Sequence, residues 1–217
     1  MFLVDNSSSY PPLLDWYETI RKNPDVHIVK LGENLGPHVI YNRLSFFKEK
    51  YHEITGHQLP DEFIITDCDL DISAVPDDGL KILYQLREED RKSERPHLKI
   101  GFGLRLDDLP NDPLLRRTKI WEPQLYKNSA TLAGIAVHLD SLIDTTLHLL
   151  TAPMPARIRF GPSIRTAPPY QARHVPWYWT RNNLNEEAKY YLQHIDPKLT
   201  THSRSLRNML RDILETG

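Results

Sequence analysis

The sequence predicts an α/β protein with an open, mostly parallel sheet flanked by helices. Three observations carry that prediction. Short apolar runs alternate with helix-patterned runs through the first half of the chain. Polar or acidic groups follow three of the apolar runs, at Asp5-Asn6, Asp67-Cys68-Asp69 and Asp107-Asp108. Prolines at 11, 12 and 76 stand where helices open, a position that tolerates their missing N–H.

Taken in order, Phe2-Leu3-Val4 reads as a strand running into the polar loop Asp5-Asn6-Ser7-Ser8-Ser9. Pro11 and Pro12 open a helix with Leu13, Tyr17 and Ile20 at helical spacing. Val26 to Leu31 is a second strand. Asn34-Leu35-Gly36-Pro37 is a turn, followed by a helix through Lys50 with Ile40, Leu44 and Phe47 on one face. Phe63-Ile64-Ile65-Thr66 is a buried strand, and Pro76 starts a helix with Leu80, Leu83 and Tyr84 inward. From Lys99 to Leu106 the chain alternates: Ile100, Phe102, Leu104 and Leu106 face one way, Gly101, Gly103 and Arg105 the other. Two glycines on one face leave room for a close approach. Thr131 to Leu139 and Asp144 to Leu150 read as two strands, with a hairpin between them as one way to pair them. Asn185 to Ile195 is a helix with Ala188, Tyr191, Leu192 and Ile195 inward, and Ser203 to Leu214 is a last helix. The expected organisation is one domain over residues 1–200 with a C-terminal helix over 201–217.

Composition narrows the function classes. In 217 residues, 40% are hydrophobic and 26% charged, as in ordinary globular chains. A net charge of -2 with no basic block excludes an electrostatic nucleic-acid binder. No apolar run approaches the roughly 20 residues of a membrane span. The single cysteine, Cys68, excludes an internal disulfide and fits a reducing compartment, so a cytoplasmic location is expected.

The acidic cluster at 67–71 holds the strongest chemical signal. In open α/β sheets, ligands bind beyond the carboxyl ends of strands. Two carboxylates one residue apart raise each other's cost of ionisation, and a divalent cation removes that penalty. Mg²⁺ and Mn²⁺ take one or two carboxylates plus phosphate oxygens, so a D-x-D after a buried strand suits a metal–diphosphate site. The competing reading is a loop whose acids cap the next helix.

The ordered motifs Val4-Asp5-Asn6-Ser7-Ser8, Asn34-Leu35-Gly36-Pro37 and Thr66-Asp67-Cys68-Asp69-Leu70 resemble GT-A glycosyltransferases. The likeness is to a small bacterial and viral group with a TDPDL-like metal motif. Gly101 to Pro110, Trp121-Glu122, Ile143-Asp144-Thr145-Thr146 and Ala172-Arg173-His174-Val175-Pro176-Trp177-Tyr178 continue it in order, the last like that group's ARHLPWY segment. The resemblance covers residues 2 to 192.

It implies a Rossmann-like GT-A fold, an open mixed sheet flanked by helices. It further implies a nucleotide-diphosphate sugar donor, UDP-linked, a glycan or glycoconjugate acceptor, and Mn²⁺ or Mg²⁺. By that resemblance Asp69 is the direct metal ligand, with Asp67 beside it toward the ribose or the metal's waters. His174 is a further metal ligand or diphosphate contact. Asp5 and Asn6, with Asn34 and Gly36, belong to the nucleotide pocket, and Arg173 pairs with phosphate. Met1 stands at what looks like the family's second strand, so a GT-A fold without its first βα unit is expected. Cys68 replaces the commoner proline of the metal motif.

An inverting transfer needs a carboxylate to take the acceptor's proton. Asp144 and Glu122 are the candidates, with Asp107 and Asp108 behind them. Trp177 offers a stacking surface for a sugar or base. Two other readings stand beside this one. A non-catalytic or partial GT-A-like module would lack donor binding. A haloacid-dehalogenase-like phosphatase also carries D-x-D after a strand, but favours Thr or Val where this chain has Asp71.

Overall fold

The computed structural model describes residues 1–112, 115–144, 146–151, 162–180 and 183–194. The final predicted helix, Ser203 to Leu214, Thr145 and Ile195 lie outside the described residues. The described residues divide into two compact units: Met1–Val39 with Thr180 and the described residues that follow it, and the described residues of Ile40–Trp179.

In the first unit, β1 (Phe2–Asp5) and β2 (His27–Lys30) pair in parallel, Leu3 opposite Ile28 and Val4 opposite Val29. Helix α1 (Pro11–Ile20) makes the crossover, with proline in its first turn and Tyr17 buried. Asp5 is buried and its Oδ1 accepts the Ser8 N–H at 2.9 Å, closing the turn after β1. The predicted helix from the Asn34 turn to Lys50 is two helices, α2 (Val39–Asn42) and α3 (Leu44–Thr55), broken at Arg43 with φ -126° and ψ 31°.

The second unit continues with β3 (Glu62–Ile65), β4 (Leu70–Asp71) and α4 (Gly79–Asp90), then β5 (Lys99–Gly101) and β6 (Gly103–Leu104). Helix α5 (Arg116–Trp121) runs into a 3-10 turn, Glu122–Tyr126. Strands β7 (Ser129–Leu132), β8 (Ile135–Ser141), β9 (His148–Thr151), β10 (Ser163–Thr166) and β11 (Gln171–His174) follow, then a second 3-10 turn, Val175–Tyr178. Helix α6 (Glu186–His194) returns to the first unit, where Tyr190 donates to the Ser9 carbonyl at 2.9 Å.

The main sheet is mixed, six-stranded and flanked by helices, in the order β3-β9-β5-β10-β8-β7. Only β5 and β10 pair in parallel; the other four pairings are antiparallel, which corrects the mostly parallel expectation. The cause is local. The segment expected as one strand, Thr131 to Leu139, is a hairpin turning at Ala133 and Gly134, both at positive φ (51° and 79°). Such a turn matches strand twist and demands antiparallel neighbours. The second expected strand starts only at His148, leaving Asp144 in a connecting segment rather than on a strand. A smaller sheet, β4-β11-β6, joins the segment after Asp69 to the Lys99–Leu106 run.

The core sits between α4 and the main sheet. Ile82, Leu83 and Leu86 pack with Ile100, Phe102, Leu104, Val137 and Ile164. Each buried aliphatic side chain there contributes about 1.5–3 kcal/mol. Leu80 and Tyr84, expected inward, are exposed by 48% and 45%, because the apolar stripe runs 82-83-86. Tyr191 is likewise exposed on α6, where Ala188 and Leu192 are the buried residues. The close approach expected at the glycines is real, but backbone fills it. A Cβ on Gly101 would lie 2.5 Å from the Leu147 carbonyl oxygen, and one on Gly103 would strike the Thr166 carbonyl.

Candidate functional site

The predicted site residues of the second unit converge. Strand β3 ends at Ile65, and Asp67 and Asp69 follow before the chain enters β4. Strand β11 lies antiparallel to β4 with His174 opposite Leu70 and Arg173 opposite Asp71. The Val175 N–H donates to the Asp69 carbonyl at 2.9 Å and locks that register. Asp67, Asp69 and His174 can therefore each offer one ligand atom, all within 4.8 Å of one another. His174 Nε2 is 3.4 Å from Asp69 Oδ2. Asp69 Oδ1 is buried with no hydrogen-bond partner among the described residues. Burial pushes His174 below its ordinary value, against the pull of Asp69 and Glu122, so the imidazole is neutral and able to ligate at pH 7. Two carboxylate oxygens and one imidazole nitrogen fit a divalent cation that keeps open positions for phosphate oxygens.

A cavity of about 240 Å³ adjoins this cluster. Asp67 and His174 line it together with Glu122, Asp144, Thr146 and Arg165. Its apolar lining includes Leu104, Trp121 and Trp177. Trp121 is 60% exposed, an unusual state for so large an apolar surface, whereas Trp177 is buried with its ring centroid 5.0 Å from that of His174.

Both candidate bases line this cavity. Glu122 is buried and ion-paired through Oε1 to Arg165 Nη1, and the Tyr126 hydroxyl donates to the same oxygen at 3.3 Å. Arg165 Nη1 also donates to that hydroxyl at 2.8 Å, and burial pushes Tyr126 up to about 12. Glu122 is thus committed to holding Arg165. Asp144 lines the same cavity from the segment between β8 and β9.

Arg173, expected on phosphate, is engaged by carboxylates. Its Nη2 lies 2.7 Å from Asp108 Oδ2 and its Nη1 3.6 Å from Asp71 Oδ2. Asp108 also accepts from the Tyr178 hydroxyl at 2.6 Å. Burial pushes the Asp108 carboxyl up, but the bonds from Tyr178 and Arg173 outweigh it and hold the group low. Asp107 is bonded to Arg105 at 2.8 Å. Both acids therefore anchor this corner of the small sheet.

The remaining predicted residues come together within the first unit. Asn6 Nδ2 donates to Asn34 Oδ1 at 3.0 Å and to the Gly36 carbonyl at 3.1 Å. The Leu35 N–H returns a bond to Asn6 Oδ1 at 2.7 Å. Gly36 sits at φ 81°, a conformation that favours glycine.

Sequence reasoning missed Arg165, Tyr126, Lys99, Tyr41 and His148 as parts of the second unit's polar interior. The available signal was a charged residue inside a short buried strand, at Lys99 and Arg165, both almost fully buried. No helix among the described residues is long and apolar enough to cross a membrane. Compared with known proteins, the chain matches no family model, no curated protein and no solved structure.

Proposed function

We propose that this chain is a metal-dependent glycosyltransferase of the GT-A type, moving a sugar from a nucleotide-diphosphate donor, UDP-linked, to a glycan acceptor. One observation carries the reading: the Asp67, Asp69 and His174 cluster adjoins a cavity lined by a second pair of carboxylates and two tryptophans. Asp67, Asp69 and His174 would hold Mn²⁺ or Mg²⁺. When bound, the cation supplies neutralisation of the leaving diphosphate.

The chain's own residues supply the rest. Asp144 accepts the proton of the attacking hydroxyl as general base. Glu122 keeps Arg165 in place within the cavity wall. Trp121 offers its exposed face to the apolar side of a sugar ring. Leu104, Leu125 and Leu142 exclude water around the reacting groups.

The test is release of UDP from UDP-sugars, with and without Mn²⁺ and glycan acceptors. Turnover that needs both metal and acceptor and stops on chelation is the expected result. Hydrolysis of a simple phosphate ester without any acceptor would instead mark a phosphatase.

A further inference from the structure

The segment that carries Asp144 into the cavity has no regular structure, yet its backbone is held at almost every described carbonyl by a side chain or amide from elsewhere. Arg165 Nε donates to the Leu142 carbonyl at 2.8 Å. Lys99 Nζ donates to the Ile143 carbonyl at 2.8 Å. The Tyr41 hydroxyl lies 3.0 Å from the Asp144 carbonyl oxygen and 3.0 Å from His148 Nε2. His148 Nδ1 is 2.6 Å from the Thr146 carbonyl, and the Phe102 N–H donates to the Leu147 carbonyl at 3.1 Å.

These holding groups are costly ones. Lys99 and His148 are fully buried and Arg165 is 3% exposed. Burying a cation far outweighs the roughly 1 kcal/mol gained from an ordinary hydrogen bond. An apolar side chain at position 99 would suit the middle of a six-stranded sheet better. Lys99 also lies over the Tyr41 ring, 4.7 Å from its centroid, so the two side chains brace each other. What the arrangement gains is a fixed origin for the Asp144 side chain, and a reacting carboxylate must be held to about 0.5 Å to act.

We propose that Lys99 and Tyr41 are positioning residues: through the carbonyls of Ile143 and Asp144 they fix the direction in which the Asp144 carboxylate enters the cavity. The proposal rests on the reading of Asp144 as the base for its purpose, though not for its geometry. Tyr41→Phe removes one oxygen and keeps the ring against Lys99. Lys99→Met removes the donor and keeps the length of the side chain.

The experiment is a carboxyl-carbon NMR spectrum, at one fixed pH, of the full chain labelled in aspartate, the Asp144 signal being assigned by its loss in Asp144→Asn. In the wild type one sharp Asp144 signal is expected. In Tyr41→Phe the signal broadens or splits. Lys99→Met splits the same signal and provides the readout if Tyr41→Phe does not fold. In a transfer assay both lower kcat about tenfold and leave the donor KM unchanged. A single sharp Asp144 signal at the wild-type chemical shift in a folded variant, any loss being confined to Tm, overturns the proposal. Wild-type protein that turns over no nucleotide sugar would remove the base role, while the NMR line shape would still decide whether these residues aim Asp144.

Discussion

His174 Nε2 lies 3.4 Å from Asp69 Oδ2 because β11 pairs with β4 in the one register that sets His174 opposite Leu70. A slip of one residue would turn the imidazole to the other face of the small sheet. The pairing brings together two motifs about a hundred residues apart in sequence.

Asp69→Ala therefore removes the carboxylate without disturbing the ladder, since the bond that locks the register uses the Asp69 carbonyl. Calorimetric titration with MnCl₂ is expected to show affinity lowered at least about a hundredfold, with Tm in metal-free buffer near wild type. His174→Ala is expected to act in the same direction. Unchanged Mn²⁺ affinity in both variants would remove the cluster from the account.

Asp144 and Glu122 separate by what their loss does. Asp144→Asn is expected to lower kcat by about 10² or more while donor binding and Tm hold. Glu122→Gln breaks a buried pair and leaves Arg165 uncompensated, so urea denaturation is expected to show a loss of about 3–5 kcal/mol. A stable, slow Glu122→Gln beside a wild-type Asp144→Asn would exchange their roles.

Gly101 tests the close strand approach behind the cavity. A Cβ there meets the Leu147 carbonyl at 2.5 Å and His148 Cβ at 2.6 Å. Gly101→Ala is expected to destabilise by about 1–3 kcal/mol through overpacking. Gly134→Ala, at φ 79° with open space around it, is expected to cost only about 1 kcal/mol, from the backbone alone. Chemical denaturation of the two variants side by side decides this.

His148 makes stability depend on pH. Burial, with Lys99 and Arg165 nearby, lowers it from 6.5 to about 3, so between those values the unfolded chain binds a proton that the folded chain does not. Stability from this group is complete above about pH 6.5 and falls as the pH drops toward 3, with a slope of up to about 1.4 kcal/mol per pH unit. Urea denaturation between pH 4 and 7 is expected to show a shallower slope in His148→Gln than in wild type. Equal slopes would contradict a buried, neutral His148.

The elements most readable from sequence were those with a single period and a clear stop. Strand β1, helix α1 after its prolines and the apolar run before Asp67 all formed close to the expected residues. The hairpin at Ala133-Gly134 was hidden because Thr131 to Leu139 alternates through its own turn. Strand β10 was missed because Ser163-Ile164-Arg165-Thr166 carries a buried cation where a pattern search expects an apolar residue. In the site, Asp67, Asp69, His174, Glu122 and Asp144 were all legible as chemical groups. That Glu122 is tied to Arg165, and Arg173 to Asp108, was not, because those pairings join strands and turns far apart in sequence.

The central claim is that a cation at Asp67, Asp69 and His174 creates the binding site for a nucleotide diphosphate. The most direct measurement is a thermal-shift screen of UDP, GDP, CMP and dTDP, each with and without Mn²⁺, since a ligand of the native state raises its Tm. A rise for one nucleotide only when metal is present, lost in Asp69→Ala, is the predicted result. No rise for any nucleotide with Mn²⁺, or a rise independent of metal, would contradict it.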